Sequence, residues 1–349
     1  MKKNYFRISL IYFVAMILVA LVFVLGYLGI VQNDFLSSFL IQIVVMFAVP
    51  MLMYTLLISK KIGKTFSDTG FKRFSFKMLW ISILLGIILY IINSFVANIS
   101  ALIINLLGYE TLSSSTNTTF NYATLLKEFV LTAILPGFCE EFLHRGIMLL
   151  SAKKRTNPKF CLIISSLLFG LVHMNIGQFF YATILGALMG YVALCADSIY
   201  PSMIIHFMNN FLGTYFFYGY YMNLPFAKFI QNIETILVSN ILGYVTVTTI
   251  VIMGLIYLYK ILTRALIVER VKMDMKKVII QLKLENAPAE QAEEKLRQIN
   301  YVLTHSPSSK LIFGSKTKSR PKFKELIFII PALVLGAFVT IGTFIWGIL

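Results

Sequence analysis

Charge is what this sequence has least of. Only 13% of its 349 residues are Asp, Glu, Lys or Arg, against roughly 25% in a soluble domain. A chain so apolar could not keep its surface wet, which excludes an ordinary water-soluble globule. Acidic residues are scarcer still, 15 against 31 basic ones. Cysteine is limited to Cys139, Cys161 and Cys195, each inside an apolar run with no paired spacing. That excludes a disulfide framework and a zinc knuckle; single thiols in such runs behave as small hydrophobes. Strictly alternating strands of barrel type are missing too, because the apolar runs are too long and do not alternate.

What the chain has is long apolar runs. About 20 apolar residues cross the hydrocarbon core as a helix, and lipid tolerates only helices and closed barrels. Nine spans are predicted, over residues 8–31, 35–59, 78–107, 125–150, 160–174, 179–196, 200–220, 236–262 and 326–349. The fold class is therefore all-α, a polytopic membrane helix bundle with a small cytoplasmic helical segment before the last span. The first run is longer than a signal core and is followed by no clear small-x-small cleavage site, so it reads as an uncleaved span.

The net charge of +16 could point to nucleic acid in a soluble protein. Here the basic residues lie between the spans, where they set topology and meet anionic headgroups, so nucleic acid is not an expected partner. With the N-terminus cytoplasmic, 28 of the 31 Lys and Arg fall on the inside. The expected location is the cell membrane, multi-pass, with the C-terminus external.

The chain divides into N-terminal helices (1–107), an external polar loop (108–124) and a central core (125–220). After these come an eighth span (221–263), a basic cytoplasmic helical segment (264–323) and a last span (324–349). Asn286 and Pro288 mark a helix start in the cytoplasmic segment, with 290–303 helical and mixed in charge. No internal repeat is visible.

Ionisable residues inside a membrane are costly, and each one is a functional hypothesis. Here they cluster in the fourth, fifth and seventh spans. The fourth reads Glu140-Glu141-Phe142-Leu143-His144-Arg145. Glu141 and Arg145 are four apart on one helix face and can pair. Glu140 points about 100° away and lacks that partner. A carboxyl unpaired at low dielectric holds its proton tightly, as suits general acid–base work. His144 shares a face with Glu140 and is either a hydrogen-bond partner or incidental. His173 lies near the end of the fifth span; His206 and Asn210 share a face of the seventh.

Depth offers a check. Glu140 is 13 residues from Lys153, and His173 is 14 from Lys159, so both lie ~20 Å from the basic edge. His206, six residues past Tyr200, fits only if the segment 197–202 dips inward beside a polar cavity.

These three motifs, Glu-Glu-x-x-x-Arg, Phe-x-x-x-His and His-x-x-x-Asn, resemble the CPBP family. That family includes the CAAX prenyl endopeptidases, the bacterial Abi proteins and the lysostaphin-resistance proteins. The intervals are 33 residues from Glu140 to His173 and 33 from His173 to His206, and the resemblance covers about 125–215. It implies an intramembrane endopeptidase acting on a peptide or membrane-protein substrate. Glu140 and His173 would match the residues that activate water, His206 and Asn210 those that bind the oxyanion, and Glu141 and Arg145 a structural ion pair. His144 departs from the apolar or aromatic residue usual there.

Two histidines and a carboxylate are also a sufficient zinc set, Glu140, His173 and His206. Asn210, a poor zinc ligand but a good donor, favours the metal-free form. The rival reading is a non-proteolytic scaffold or regulator of surface-protein display or peptide immunity. Residues 264–349 are expected to contact a membrane-protein partner. A proton-relay transporter would need inverted repeats or paired broken helices, which the sequence lacks.

Overall fold

The computed structural model describes residues 4–31, 33–109, 119–230, 232, 241–284, 289–306, 308–313 and 321–348. The helices are α1 (Asn4–Tyr27), α2 (Phe35–Ser59), α3 (Ile62–Asp68), α4 (Phe76–Leu106) and α5 (Tyr122–Lys154). They continue as α6 (Pro158–Leu171), α7 (Ile176–Ala196), α8 (Tyr200–Met222), α9 (Ile241–Leu284), α10 (Ala289–His305), α11 (Ser308–Phe313) and α12 (Ile329–Trp346). No strand occurs among the described residues. The all-α polytopic bundle read from the sequence is borne out.

Seven helices are long and apolar enough to cross a membrane: α1, α2, α4, α5, α7, α9 and α12. Two predicted spans are not among them. One is the 14-residue α6; the other is α8, long enough at 23 residues but carrying His206, Asn209 and Asn210. Large side chains such as Leu52, Leu56, Trp80, Ile163 and Phe338 are exposed, as expected where the surroundings are lipid rather than water.

Local sequence explains most boundaries. Asn33 accepts from the Phe35 and Leu36 N–H groups at the start of α2, and Ser75 caps α4 through Met78 N–H. Asn157 caps α6, with Pro158 at its first position, and Asn175 caps α7. Asp197 and Asn223 end α7 and α8 with positive φ, a conformation Asn and Asp tolerate better than most residues.

The core has two apolar clusters. One joins α1, α2, α5, α6 and α12; the other joins α4, α7, α8 and α9. Between them α5 faces α8, and α6 with α7 forms an antiparallel hairpin. That hairpin closes so tightly that a Cβ on Gly170 would come within 2.0 Å of Thr183 Oγ1 and 2.8 Å of the Phe179 carbonyl.

One helix runs past the end expected for its span: α9 continues unbroken beyond residue 262 to Leu284, since no proline or glycine interrupts residues 255–284. The basic segment after the eighth span therefore starts as a continuation of α9. It then returns: Arg264 donates to the Ser306 carbonyl at 2.9 Å, and Phe313 reaches Tyr191 and Lys159. The expected helix start at Asn286 and Pro288, and most of the polar loop 108–124, lie outside the described residues. The last helix belongs to the core: α12 lies against α1, α6 and α7, and Thr343 Oγ1 accepts the Ile176 N–H at 3.1 Å.

The basic loops share one end of the bundle. Asp197 is paired with Lys72, with Lys153 at 2.6 Å and with Arg270 at 3.7 Å. Lys154 binds Asp68 at 2.9 Å. Burial alone would raise the Asp197 carboxyl, but Lys153 and Lys72 outweigh it and bring it down to about 2.

Candidate active site

The fourth span is not a uniform α-helix. Wide π-helical turns at Phe129–Ile134 and Phe142–Ser151 flank a short α-helical stretch, Leu135–Glu141, that ends on the two glutamates. Such turns recur at functional sites. Pro136 adds a second effect: it has no N–H for the carbonyl of Thr132, four residues earlier. Asn210 fills that vacancy from α8, its Nδ2 donating to Thr132 O at 2.7 Å. Its Oδ1 accepts from Asn209 Nδ2 at 2.9 Å. One N–H of Asn210 is left beyond these contacts.

Glu141 and Arg145 pair at 2.6 Å with both side chains fully buried. The guanidinium also donates to Gly186 O at 3.1 Å and lies 4.2 Å from the Phe169 ring centre. Glu141 has a second partner that the sequence did not reveal. His206 Nδ1 approaches the same Oε1 at 3.0 Å. Because that oxygen is a carboxylate held by arginine, Nδ1 carries the proton. His206 can then donate through Nε2 only if the ring holds both protons. Its Nε2 is 4.0 Å from Glu140 Oε2.

Glu140 is also not without a hydrogen-bond partner, as the sequence implied. Its Oε1 accepts from Gln42 Nε2 at 2.7 Å. Gln42 carries no ionisable group, so its signal in the sequence is only that of a lone amide inside the second apolar run.

His173 is half-buried, and its Nδ1 faces the Phe169 carbonyl at 2.7 Å. A carbonyl can only accept, so Nδ1 carries hydrogen and the neutral ring keeps a lone pair on Nε2. His173 lies in the turn two residues past the end of α6 at Leu171, and Met174, with φ of 49°, follows it. His144 does not meet the Glu140 side chain. Its Nδ1 donates to the Glu140 backbone carbonyl at 2.8 Å, and its Nε2 is 2.8 Å from the Tyr12 hydroxyl. It therefore ties α1 to α5, which explains a buried histidine that had looked incidental.

Phe169 is the hub of this layer. Its ring meets those of His144, His173 and His206 edge-on, with centres 5.0, 5.3 and 5.6 Å apart, while Arg145 sits against it. Edge-on contacts and a cation by the ring face are both favourable. The Phe-x-x-x-His motif thus fixes three imidazoles.

The depth conflict over His206 resolves through Gly146, where a Cβ would lie 3.2 Å from Thr69 and 3.3 Å from Ile199. Ile199 N–H also donates to Gly70 O at 3.0 Å. The start of α8 is thereby level with Gly146 rather than Lys153, and seven residues later His206 comes level with the glutamates.

Among the described residues no three His, Cys, Asp or Glu side chains are gathered as a metal ion would need. The zinc set Glu140, His173 and His206 is not assembled in this arrangement.

Fold and site together define a multi-pass membrane protein with a buried acid–imidazole layer. Residues 122–212 match the model of a family described as type II CAAX prenyl endopeptidase Rce1-like, so the resemblance to the CPBP and CAAX protease family is borne out over that segment. That family implies an intramembrane CAAX endopeptidase, a membrane-embedded hydrolase acting on peptide substrate. No curated protein and no solved structure matches the chain.

Proposed function

We propose that this protein hydrolyses a peptide bond within the membrane, with Glu140 as general base and without a metal. The observation that carries this reading is the run of close contacts from Gln42 through Glu140 and His206 to Glu141 and Arg145, linking α2, α5 and α8. Glu140 takes a proton from water that also donates to His173 Nε2. The hydroxide adds to the scissile carbonyl carbon. The oxyanion accepts from the remaining Asn210 N–H and from His206 Nε2–H. Collapse breaks the C–N bond, the proton on Glu140 goes to the leaving amine, and the second water proton, left on the new carboxyl group, passes to His173 Nε2, so products are a carboxylate and an amine. Glu141, anchored by Arg145, orients the His206 ring through Nδ1–H, and the ring serves the oxyanion when Nε2 also carries a proton.

Residues 125–220 form the catalytic unit in this reading. The basic end is cytoplasmic, with the N-terminus inside and the C-terminus outside. The positions of α12 and α11 against the core, with the Arg264–Ser306 contact, support a bracing role for them, beside the partner contact expected from sequence. The test is a comparison of membrane peptides from cells carrying wild type and Glu140→Gln. A cleaved species that depends on Glu140 is expected; identical peptide sets would defeat the proposal. Cysteine labelling at residues 115 and 289 should report opposite sides, and the same side at both would overturn the topology.

A further inference from the structure

Gln42 reaches the reacting carboxylate from α2, outside the segment the family model matches. It lies in the wide turns Leu40–Ala48 and is 8% exposed. Its Nε2 donates to Glu140 Oε1 at 2.7 Å, and its own Oε1 is buried with no hydrogen-bond partner. A buried acceptor left unpaired destabilises a fold, and each such group calls for an explanation. Methionine or leucine would fill the same volume in an apolar helix without that cost. Packing therefore does not account for an amide here; its contact with Glu140 does.

The direction of the bond matters. An N–H facing a carboxylate oxygen strengthens when the oxygen is charged. With Oε1 occupied, Oε2 is the atom facing His206 Nε2 at 4.0 Å. We propose that Gln42 is a positioning residue for hydrolysis. It favours the ionised form of Glu140 and turns Oε2 toward the water. It also eases return of the proton to the leaving amine, because protonated Glu140 is the weaker acceptor. This rests on the reading of Glu140 as the base.

The test uses full-length protein in detergent carrying Gln42→Met. Infrared difference spectra across pH follow the Glu140 carboxyl band, assigned by its loss in Glu140→Gln. In Gln42→Met that band should appear about one pH unit higher than in wild type. On an S-farnesyl CAAX peptide, the acid limb of kcat/KM should move by the same amount, with kcat about tenfold lower and KM within about twofold. Tm should change little, since loss of the orphan acceptor offsets loss of the donor to Glu140. Should Gln42→Met fail to fold, Gln42→Leu, which also lacks a donor, should displace the band in the same direction. An unmoved band in the folded variant overturns the proposal, as does activity that falls only in step with Tm. A moved band in a protein that cleaves nothing would uphold the Gln42–Glu140 coupling and sink the protease reading instead.

Discussion

Two clusters of opposite charge hold this molecule together, and they differ in almost every physical respect. Glu141 is bound by Arg145 and His206 with its side chain fully buried, whereas Asp197 is bound by Lys72, Lys153 and Arg270 with a third of its side chain exposed. In the first, charges have left water and each partner is obligatory. In the second, Asp197 and both lysines keep contact with solvent, and the loss of one cation leaves others in place. Burial, more than the number of partners, separates a site from a seam.

The largest expected effect sharpens this contrast at the deep cluster. Glu140→Gln should abolish turnover while the protein still folds, since general-base roles contribute about 100- to 10,000-fold. Near-wild-type turnover of a substrate would remove Glu140 from the reaction.

Asn210→Asp comes next, with a loss of about 100- to 1,000-fold if its amide serves the oxyanion. A carboxylate is a better zinc ligand than an amide, so a zinc enzyme should keep both metal and some activity in this variant. Metal content measured beside turnover decides. Stoichiometric zinc in wild type, lost with activity on chelation and restored by zinc, would defeat the metal-free mechanism.

Glu141→Gln and Arg145→Ala should each destabilise by about 3–5 kcal/mol, because the remaining buried charge is stranded. Thermal unfolding in detergent measures this. Activity should fall too, through His206. Unchanged melting with lost activity would mean that the pair belongs to the chemistry alone.

The smallest effect belongs to the exposed seam. The Asp197 carboxyl lies below its ordinary value, at about 2. Its contribution is thus present above about pH 4 and lost as pH falls toward 2. With solvent screening it amounts to about 1 kcal/mol. Asp197→Asn should lower stability by that much at neutral pH and flatten the dependence between pH 4 and 2, as read by unfolding against pH. A loss as large as that of Glu141→Gln would erase the distinction between the two clusters.

Much of the site was legible because its residues are rare in their setting. A charged or imidazole side chain in an apolar run stands out without any structure, so Glu140, Glu141, Arg145, His173 and His206 were visible, and Asn210 was visible through its place four residues after His206. Gln42 was not, because an uncharged amide in a span has many ordinary uses. Phe169, one phenylalanine among 30, was marked only by the Phe-x-x-x-His motif, and its packing against three imidazoles came from the structure.

The sequence alone determined the environment and the inventory. Apolar runs of span length leave a helix bundle as the only way to satisfy backbone groups in lipid. The i, i+4 spacing of Glu141 and Arg145 sets their pairing, since one helix supplies both ends. The contacts between helices were decided only by the tertiary structure. Glu141 also holds His206, Gln42 takes one oxygen of Glu140, Asn210 fills the carbonyl freed by Pro136, and His144 ties α1 rather than assisting the base. Each joins residues 65 to 132 positions apart. Periodicity within a helix shows which face a side chain occupies, but not which neighbouring helix that face will meet.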